Sequence, residues 1–260
     1  MTEFITKMHT AVKFAYNGRE FHGYARQPQL KTIEGEIIKS LIKHGLVEDN
    51  EQSCFRSASR TDKGVSALCN VIAFNTDTSN ARILQILSDD FTDIIFYGIT
   101  NVKPDFFPRY ARQRSYRYYL KKDKLDAEFA ITAASSFTGE HNFSNFARVE
   151  EFKNPVRIIN NIIVTNQDDF LIMDFYAQTF LWNQIRRIVS AIQKMVIGKI
   201  EKEQIIEALH NPTKKVDLGL APAEPLILKD IMYDFEFEYD KTQMDKLDSI
   251  ERKIVASLLE

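Results

Sequence analysis

The order of strand and helix patterns constrains the fold of this chain more than any other feature of its sequence. Strict alternation of apolar and polar residues predicts a strand, and apolar residues spaced three and four apart predict a helix. The first half predicts the order β-α-β-β-α-β over residues 11–17, 33–46, 53–58, 68–75, 80–90 and 93–103. The second half predicts the same order over residues 115–121, 126–137, 158–166, 170–178, 181–197 and 228–237, with an additional short helix at 201–209.

Two such units in a row predict an α+β protein made of two consecutive ferredoxin-like units. We expect each unit to place its helices on one face of an antiparallel sheet, and the two sheets to form one extended antiparallel sheet with a basic cleft. Pro104 and Pro108 interrupt the chain between them. The expected division is an N-terminal unit over residues 1–105 and a C-terminal unit over residues 106–260, in which a helix at 240–258 packs against the rest of the protein.

The composition argues against several classes of protein. Gly and Pro together number 16 of 260 residues, too few for a disordered or linker-rich chain. There is no run of 18 apolar residues and no apolar signal-peptide core, so we expect a cytoplasmic protein without a membrane partner. The two cysteines and five histidines have no metal-ligand spacing, and no glycine-rich phosphate loop occurs, so we expect no metal and no cofactor.

Charge is distributed unevenly along the chain. The formal net charge is −2, yet residues 103–124 contain eight basic and two acidic residues, whereas residues 224–260 contain ten acidic and five basic residues. Exposed charges separated by more than about 10 Å are largely screened at 0.1 M salt, so a distant acidic end does not neutralise phosphates held by the basic segment. A nucleic-acid partner is therefore compatible with the negative net charge.

A short polar segment between two predicted strands contains the first candidate catalytic residue. Asp62 has Arg60 two residues before it and Lys63 directly after it. Neighbouring cations favour the ionised form of a carboxyl group, so we expect Asp62 to be a charged acceptor or a nucleophile at neutral pH. Thr61 and Gly64 are expected to fix the turn. The alternative is a surface turn without a chemical role.

Aromatic and basic residues alternate in the second candidate segment, residues 115–119. On a strand, Tyr116 and Tyr118 point to the same face. Aromatic rings on an open sheet face stack on nucleobases, and basic residues nearby, such as Arg109 and Arg114, contact phosphates. The alternative is a half-buried strand whose tyrosines belong to the core.

The third candidate segment is the start of a predicted helix that follows Phe180. Arg186 and Arg187 lie near the beginning of this helix, where cations are unfavourable because the N-terminal end of the helix dipole is positive. Either one of them has a carboxylate or phosphate partner, or both are exposed to solvent. A phosphate partner makes Arg187 a candidate RNA-binding residue.

Together these segments resemble the TruA family of tRNA pseudouridine synthases, from about residue 11 to residue 235. SRTDKGVSAL is similar to the family pattern G-R-T-D-x-G-V-H-A, and FLWNQIRRIVSAI is similar to F-L-x-x-M-V-R-x-I-V-G. The other strings that carry the resemblance are KFAYNGREFHGYARQ, FFPRYARQRSYRYYL and GEHNFSNFA. All of them occur in the family's order and spacing.

The resemblance implies a role for each matching residue. Asp62 lies at the position of the family's catalytic aspartate. Arg60 lies at the position of an arginine that helps to expel the target uridine, and Tyr116 at that of a tyrosine that packs against the target base. Arg186 lies at the position of an arginine that pairs with the catalytic carboxylate.

The sequence departs from the family pattern without losing these four residues. Ser59 replaces the usual glycine, Lys63 an alanine and Ser66 a histidine. Trp182 and Asn183 replace a pair that is often histidine. These departures affect the expected substrate range more than the expected chemistry.

The resemblance also implies a reaction and partners. A pseudouridine synthase breaks the N-glycosidic bond of a uridine, turns the base and joins its C5 atom to the same sugar carbon. This isomerisation is redox-neutral and needs no cofactor. The implied enzyme is a homodimer that binds tRNA across a basic cleft and modifies uridines at tRNA positions 38 to 40.

The sequence leaves two alternatives. A non-catalytic RNA-binding protein with two RRM-like units needs aromatic residues on the third strand of a unit, where residues 68–75 have Asn70 and Ile72 instead. An RNA N-glycosidase needs a second carboxylate to act with Asp62, and no second acid is evident near these segments.

Overall fold

The computed structural model describes residues 7–48, 53–122 and 125–260. The fold is of the α+β class, with mainly antiparallel strands and separate helices. In chain order the elements are β1 (Met8–Tyr16), α1 (Ile33–Lys43), β2 (Arg56–Ser57), β3 (Ser66–Thr76), α2 (Asn80–Asp90), β4 (Ile94–Val102), β5 (Gln113–Lys121), α3 (Ala127–Ser135), β6 (Gly139–Asn142), β7 (Val156–Gln167), β8 (Phe170–Ala177), α4 (Gln184–Val196), α5 (Lys202–His210), β9 (Leu226–Met232), β10 (Glu238–Tyr239), α6 (Lys241–Met244) and α7 (Leu247–Ala256).

The chain divides into two compact units. Unit 1 comprises Met1–Arg112 together with Leu228–Glu260, and unit 2 comprises Gln113–Ile227. This division differs from the expected one at the C-terminal end, because residues 228–260 pack with the first unit. Apolar contacts hold this C-terminal segment to unit 1, because Leu247 and Ile250 of α7 pack against a buried cluster on the unit 1 sheet.

The sheet of unit 1 has the strand order β10-β4-β1-β3-β9, with β2 paired to β3. β1 is antiparallel to both β3 and β4, and every residue of β1 after Met8 is buried. Phe14 stacks on Phe96 on one face. Alternation places Ala15 on the opposite face, where α7 covers it. The terminal helix therefore packs against the protein, as expected, although it is divided into α6 and α7.

The sheet of unit 2 has the order β5-β8-β7-β6 and is antiparallel throughout. The predicted hairpin between β7 and β8 is confirmed, and Asp168 in its turn has a φ of 44°. Aspartate tolerates this left-handed conformation better than most residues. In α4, Ile185, Ile188 and Ile192 follow the helical spacing and are all buried, so that one apolar face anchors this helix.

No helix within the described residues is long and apolar enough to cross a membrane.

Candidate active site

Asp62 lies in a tight turn between β2 and β3. The backbone N–H of Val65 donates to the carbonyl oxygen of Asp62 at 3.1 Å, and Gly64, the third residue of the turn, has a φ of 88°. A type II turn requires this positive φ at its third residue, which glycine adopts without steric cost. Gly64 therefore fixes the turn, as the sequence predicted. Asp62 is half-buried, whereas Arg60 and Lys63 are exposed.

Buried hydrogen bonds hold the residues that precede Asp62. The hydroxyl groups of Thr61 and Tyr16 are 2.8 Å apart, and the backbone N–H of Tyr24 donates to the carbonyl of Thr61 at 3.1 Å. Asn70 on β3 is fully buried and its Nδ2 donates to the carbonyl of Ser59 at 2.9 Å. Paired groups in a low-dielectric interior are costly to disrupt, so the backbone that carries Asp62 is rigid.

The loop after β1 packs directly against this turn. A Cβ atom on Gly18 would lie 2.1 Å from the carbonyl oxygen of Val65, so only glycine permits this approach. The backbone N–H of Gly18 also donates to Oγ of Ser66 at 3.0 Å. Sequence reasoning missed Gly18 and Asn70; the only local signal was a buried amide within the apolar pattern of β3.

Tyr116 lies on β5 in unit 2, half-buried and opposite Phe175 of β8. Its ring meets the ring of Phe180 edge to face, with centroids 5.4 Å apart. Two of the candidate segments are therefore in contact within unit 2. Tyr118, on the same face by alternation, is buried and donates to the carbonyl of Pro222 at 3.2 Å; burial raises the pKa of this phenol well above its usual value. The alternative in which the tyrosines of this strand belong to the core therefore applies to Tyr118, whereas Tyr116 is only half-buried.

Arg186 and Arg187 both have partners near the start of α4. Nε of Arg186 donates to the carbonyl of Ala221 at 2.8 Å, and its Nη1 lies 3.4 Å from Oδ1 of Asn183. Nη1 of Arg187 pairs with Asp217 at 3.2 Å. Of the alternatives left open by the sequence, a carboxylate partner is found for Arg187, in Asp217.

Asp217 contacts only one nitrogen of the Arg187 guanidinium, Nη1. Nε of Arg187 is buried and has no hydrogen-bond partner within the described part of the chain. The N–H of Gly219 lowers the pKa of Asp217, and the charge of Arg187 lowers it further.

The remaining predicted residues differ in exposure. Arg109 follows β4 and is exposed. Arg114 on β5 is only 4% exposed, and its Nη1 donates to the carbonyl of Gln178 at 2.6 Å. Unit 1 thus holds Asp62, Arg60 and Arg109, and unit 2 holds Tyr116, Arg114, Arg186 and Arg187.

Over residues 7–48, 53–122 and 125–260 there is no group of three or more side chains suited to bind a metal ion.

Comparison with known proteins identifies the family. A family model described as tRNA pseudouridine synthase matches residues 133–234. The tRNA pseudouridine synthase A of Thermococcus sibiricus is 41% identical over 244 residues, which cover 92% of this chain and 91% of that protein. The chain belongs to the TruA family of tRNA pseudouridine synthases.

Other TruA proteins match over a similar extent. The tRNA pseudouridine synthase A of Pyrococcus abyssi is 40% identical over 242 residues, covering 92% of this chain and 90% of that protein. That of Methanobrevibacter smithii is 35% identical over 272 residues, covering 94% and 93%. TruA membership makes the chain an isomerase and disfavours the alternative of a non-catalytic protein with two RRM-like units.

Proposed function

We propose that this protein converts uridine to pseudouridine at positions 38 to 40 of tRNA, with Asp62 as its catalytic residue. The observation that carries this proposal is the 40–41% sequence identity to tRNA pseudouridine synthases over more than nine-tenths of the chain. The rigid turn supports the choice of Asp62, because catalytic groups must be held close to one productive geometry.

The reaction requires a carboxylate that acts on the sugar. In one route Asp62 attacks the sugar carbon and displaces the base; in the other it removes a sugar proton to give a glycal. In the first route the base turns and C5 attacks the same sugar carbon, displacing the Asp62 carboxylate. In the second, C5 bonds to that carbon of the glycal and the abstracted proton returns from Asp62 to the neighbouring sugar carbon. In both routes C5 then loses its proton, and N1, which left the sugar with the bonding electron pair, gains one. The atoms and electrons balance without a redox partner.

The target uridine lies in a stem and must leave the stack, which costs a few kcal/mol. We propose that Arg60 fills the position that the base leaves, and its exposure beside Asp62 supports this role. Tyr116 packs against the extruded base, held by its contact with Phe180. Arg186 is the substrate-site arginine that pairs with the catalytic carboxylate in the family pattern.

We assign phosphate binding to Arg109, Arg114 and Arg187. The exposure of Arg109 supports its assignment, and the side chain of Arg187 is half-buried rather than fully enclosed. Arg114 is nearly buried, and its contribution includes fixing the end of β8 through Gln178.

The finer architecture is also a proposal. The order of elements supports two consecutive ferredoxin-like units, and we propose that they form an extended sheet with a basic cleft. We further propose that the enzyme is a cytoplasmic homodimer and that tRNA contacts both subunits, as the family resemblance implies.

The decisive experiment is to incubate the protein with unmodified tRNA and to map pseudouridine chemically. Asp62→Ala should abolish product while tRNA binding survives, because the carboxylate is required for bond breaking. Lys63→Ala is the matched control: it is the adjacent, exposed residue at a position where the family has alanine, and we expect it to remain active. Normal turnover by Asp62→Ala would refute the assignment.

A further inference from the structure

The turn between β8 and α4 exposes the only tryptophan of the chain. Trp182 is 44% exposed, although an indole ring gains stability from burial. The turn itself is well fixed. Gln184 is buried, its Oε1 accepts from the backbone N–H of Leu181 at 2.8 Å, and its own N–H donates to the carbonyl of Leu181 at 3.1 Å. The exposure of Trp182 is therefore a feature of an ordered turn.

Arg148 lies over the ring of Trp182. The two residues form a short antiparallel bridge, in which the N–H of Arg148 donates to the carbonyl of Trp182 at 2.8 Å. The guanidinium carbon is 4.1 Å from the ring centroid, close enough for a cation–π interaction. The pair therefore forms a preordered, flat and positively charged surface, called here the Trp182–Arg148 platform.

The platform is connected to the proposed target-base site within unit 2. Phe180, two residues before Trp182, contacts Tyr116. Asn183, directly after Trp182, lies 3.4 Å from Nη1 of Arg186. The turn at residues 180–183 thus contains Phe180, which contacts the proposed target-base residue Tyr116, and Asn183, which contacts the proposed substrate-site residue Arg186. Trp182 of the platform lies between them.

We propose that the Trp182–Arg148 platform stacks on a nucleobase of tRNA that neighbours the target uridine. This inference rests on the proposed function, since it requires tRNA as the substrate. Extruding one base removes a stacking partner from its neighbours, and aromatic and guanidinium planes are the groups that stack on unpaired bases. The positive charge of Arg148 adds attraction to the phosphate backbone.

A second exposed ring shows why charge matters in this assignment. Tyr239 is 43% exposed and has Nζ of Lys13 at 5.7 Å from its ring centroid. Its neighbours Glu236, Glu238 and Asp240 are acidic and would repel RNA. Tyr239 is therefore a control of similar exposure with a nearby cation, flanked in sequence by acidic residues, whereas Trp182 is followed by Arg186 and Arg187.

Fluorescence tests the platform without altering it, because Trp182 alone supplies the tryptophan emission. The Asp62→Ala chain, expected to bind without turnover, is titrated with unmodified tRNA. We expect quenched emission and protection of the ring from acrylamide. Polyphosphate, which has phosphates but no bases, should produce neither effect. An unchanged emission with saturating tRNA, or equal quenching by polyphosphate, overturns the proposal.

Kinetics provides the second test. Loss of one base–aromatic stack weakens binding by roughly 5- to 150-fold, so Trp182→Leu should raise KM by this factor and change kcat less. Trp182→Phe should retain most of the affinity, and Tyr239→Leu should leave KM unchanged.

A parent-like KM in folded Trp182→Leu overturns the platform but leaves the proposed function intact. Absence of pseudouridine from the parent chain overturns the function, and the titration with tRNA then tests the platform by itself.

Discussion

Single residues position Asp62 through contacts that are distant in sequence. Gly18 approaches the carbonyl of Val65 so closely that a Cβ atom would overlap it, and Asn70 holds the carbonyl of Ser59 from β3. The turn that carries Asp62 is therefore supported by the loop after β1 and by a neighbouring strand. A change in either support should alter the position of the carboxylate without removing it.

Gly18→Ala tests this support. The added methyl group would lie 2.1 Å from a backbone oxygen, which must shift, and overpacking of this kind costs about 1–3 kcal/mol. We expect a lower free energy of unfolding and reduced pseudouridine formation per folded molecule, measured by urea denaturation and single-turnover assays. Gly45→Ala is the control, because it has open space around it but a φ of 67°. It should lose stability and retain activity, and equal activity of the two variants would contradict the positioning role of Gly18.

Tyr116 allows a test of ring stacking. Tyr116→Phe keeps the ring that meets Phe180, whereas Tyr116→Ala removes it. Because a base–aromatic stack contributes about 1–3 kcal/mol, we expect Tyr116→Ala to lose much more activity than Tyr116→Phe in assays with unmodified tRNA. Equal losses would show that the hydroxyl group, not the ring, is the important part of the side chain.

These residues also show what sequence can predict. Gly64 and Thr61 were predictable because a turn depends on neighbouring residues, and both lie within two positions of Asp62. Gly18 was not, because its requirement comes from Val65, 47 positions later in the numbering. The roles proposed for Asp62 and Tyr116 came from family resemblance, since neither charge nor alternation alone distinguishes a catalytic turn from a surface turn.

At the scale of elements, strong periodicity gave reliable predictions. α2 spans the predicted residues 80–90, because its apolar spacing is regular and both ends are polar. β6 was missed because it has only four residues and none of them is buried. The predicted terminal helix is interrupted between α6 and α7, although its apolar stripe continues. Element type thus follows from local pattern, whereas short and exposed elements depend on their partners.

The contact between α1 and α2 predicts a pH dependence. Asp90 ends α2 and accepts from Ser40, Lys43 and His44 around the end of α1. Hydrogen bonds from Ser40 and Lys43 lower the pKa of Asp90 to about 2. The unfolded chain therefore binds the proton more tightly, so the stabilisation is complete above about pH 4. It is lost as the pH falls through 2.

Asp90→Asn should consequently reduce stability at neutral pH and flatten the loss of stability between about pH 4 and pH 2. Thermal denaturation over this range measures both effects. Asp89→Asn is the matched control, since Asp89 is the preceding acid and is exposed. An acid profile of Asp90→Asn that parallels the parent profile would show that the helix contact does not depend on this charge.

For the whole molecule, charge distribution matters more than net charge. The basic residues are concentrated in 103–124 and the acidic residues in 224–260. The aromatic side chains of Phe235 and Phe237 contact each other, while Asp234, Glu236 and Glu238 between and beside them are exposed. In the acidic end, aromatic side chains that pack therefore alternate with acidic side chains that are exposed to solvent. The acidic charge of this segment does not prevent RNA binding elsewhere.

The salt dependence of tRNA binding tests this separation of charge. Each phosphate neutralised releases counterions, so the logarithm of the association constant should fall with the logarithm of salt concentration by roughly 0.7 to 0.9 per phosphate contact. Arg109→Gln should reduce that slope by about one contact, as measured by fluorescence anisotropy with labelled tRNA. Lys253→Gln, which removes an exposed cation from the acidic end, should leave the slope unchanged. A flat response of the parent chain would mean that phosphates contribute little to affinity, and the basic segment would then need another role.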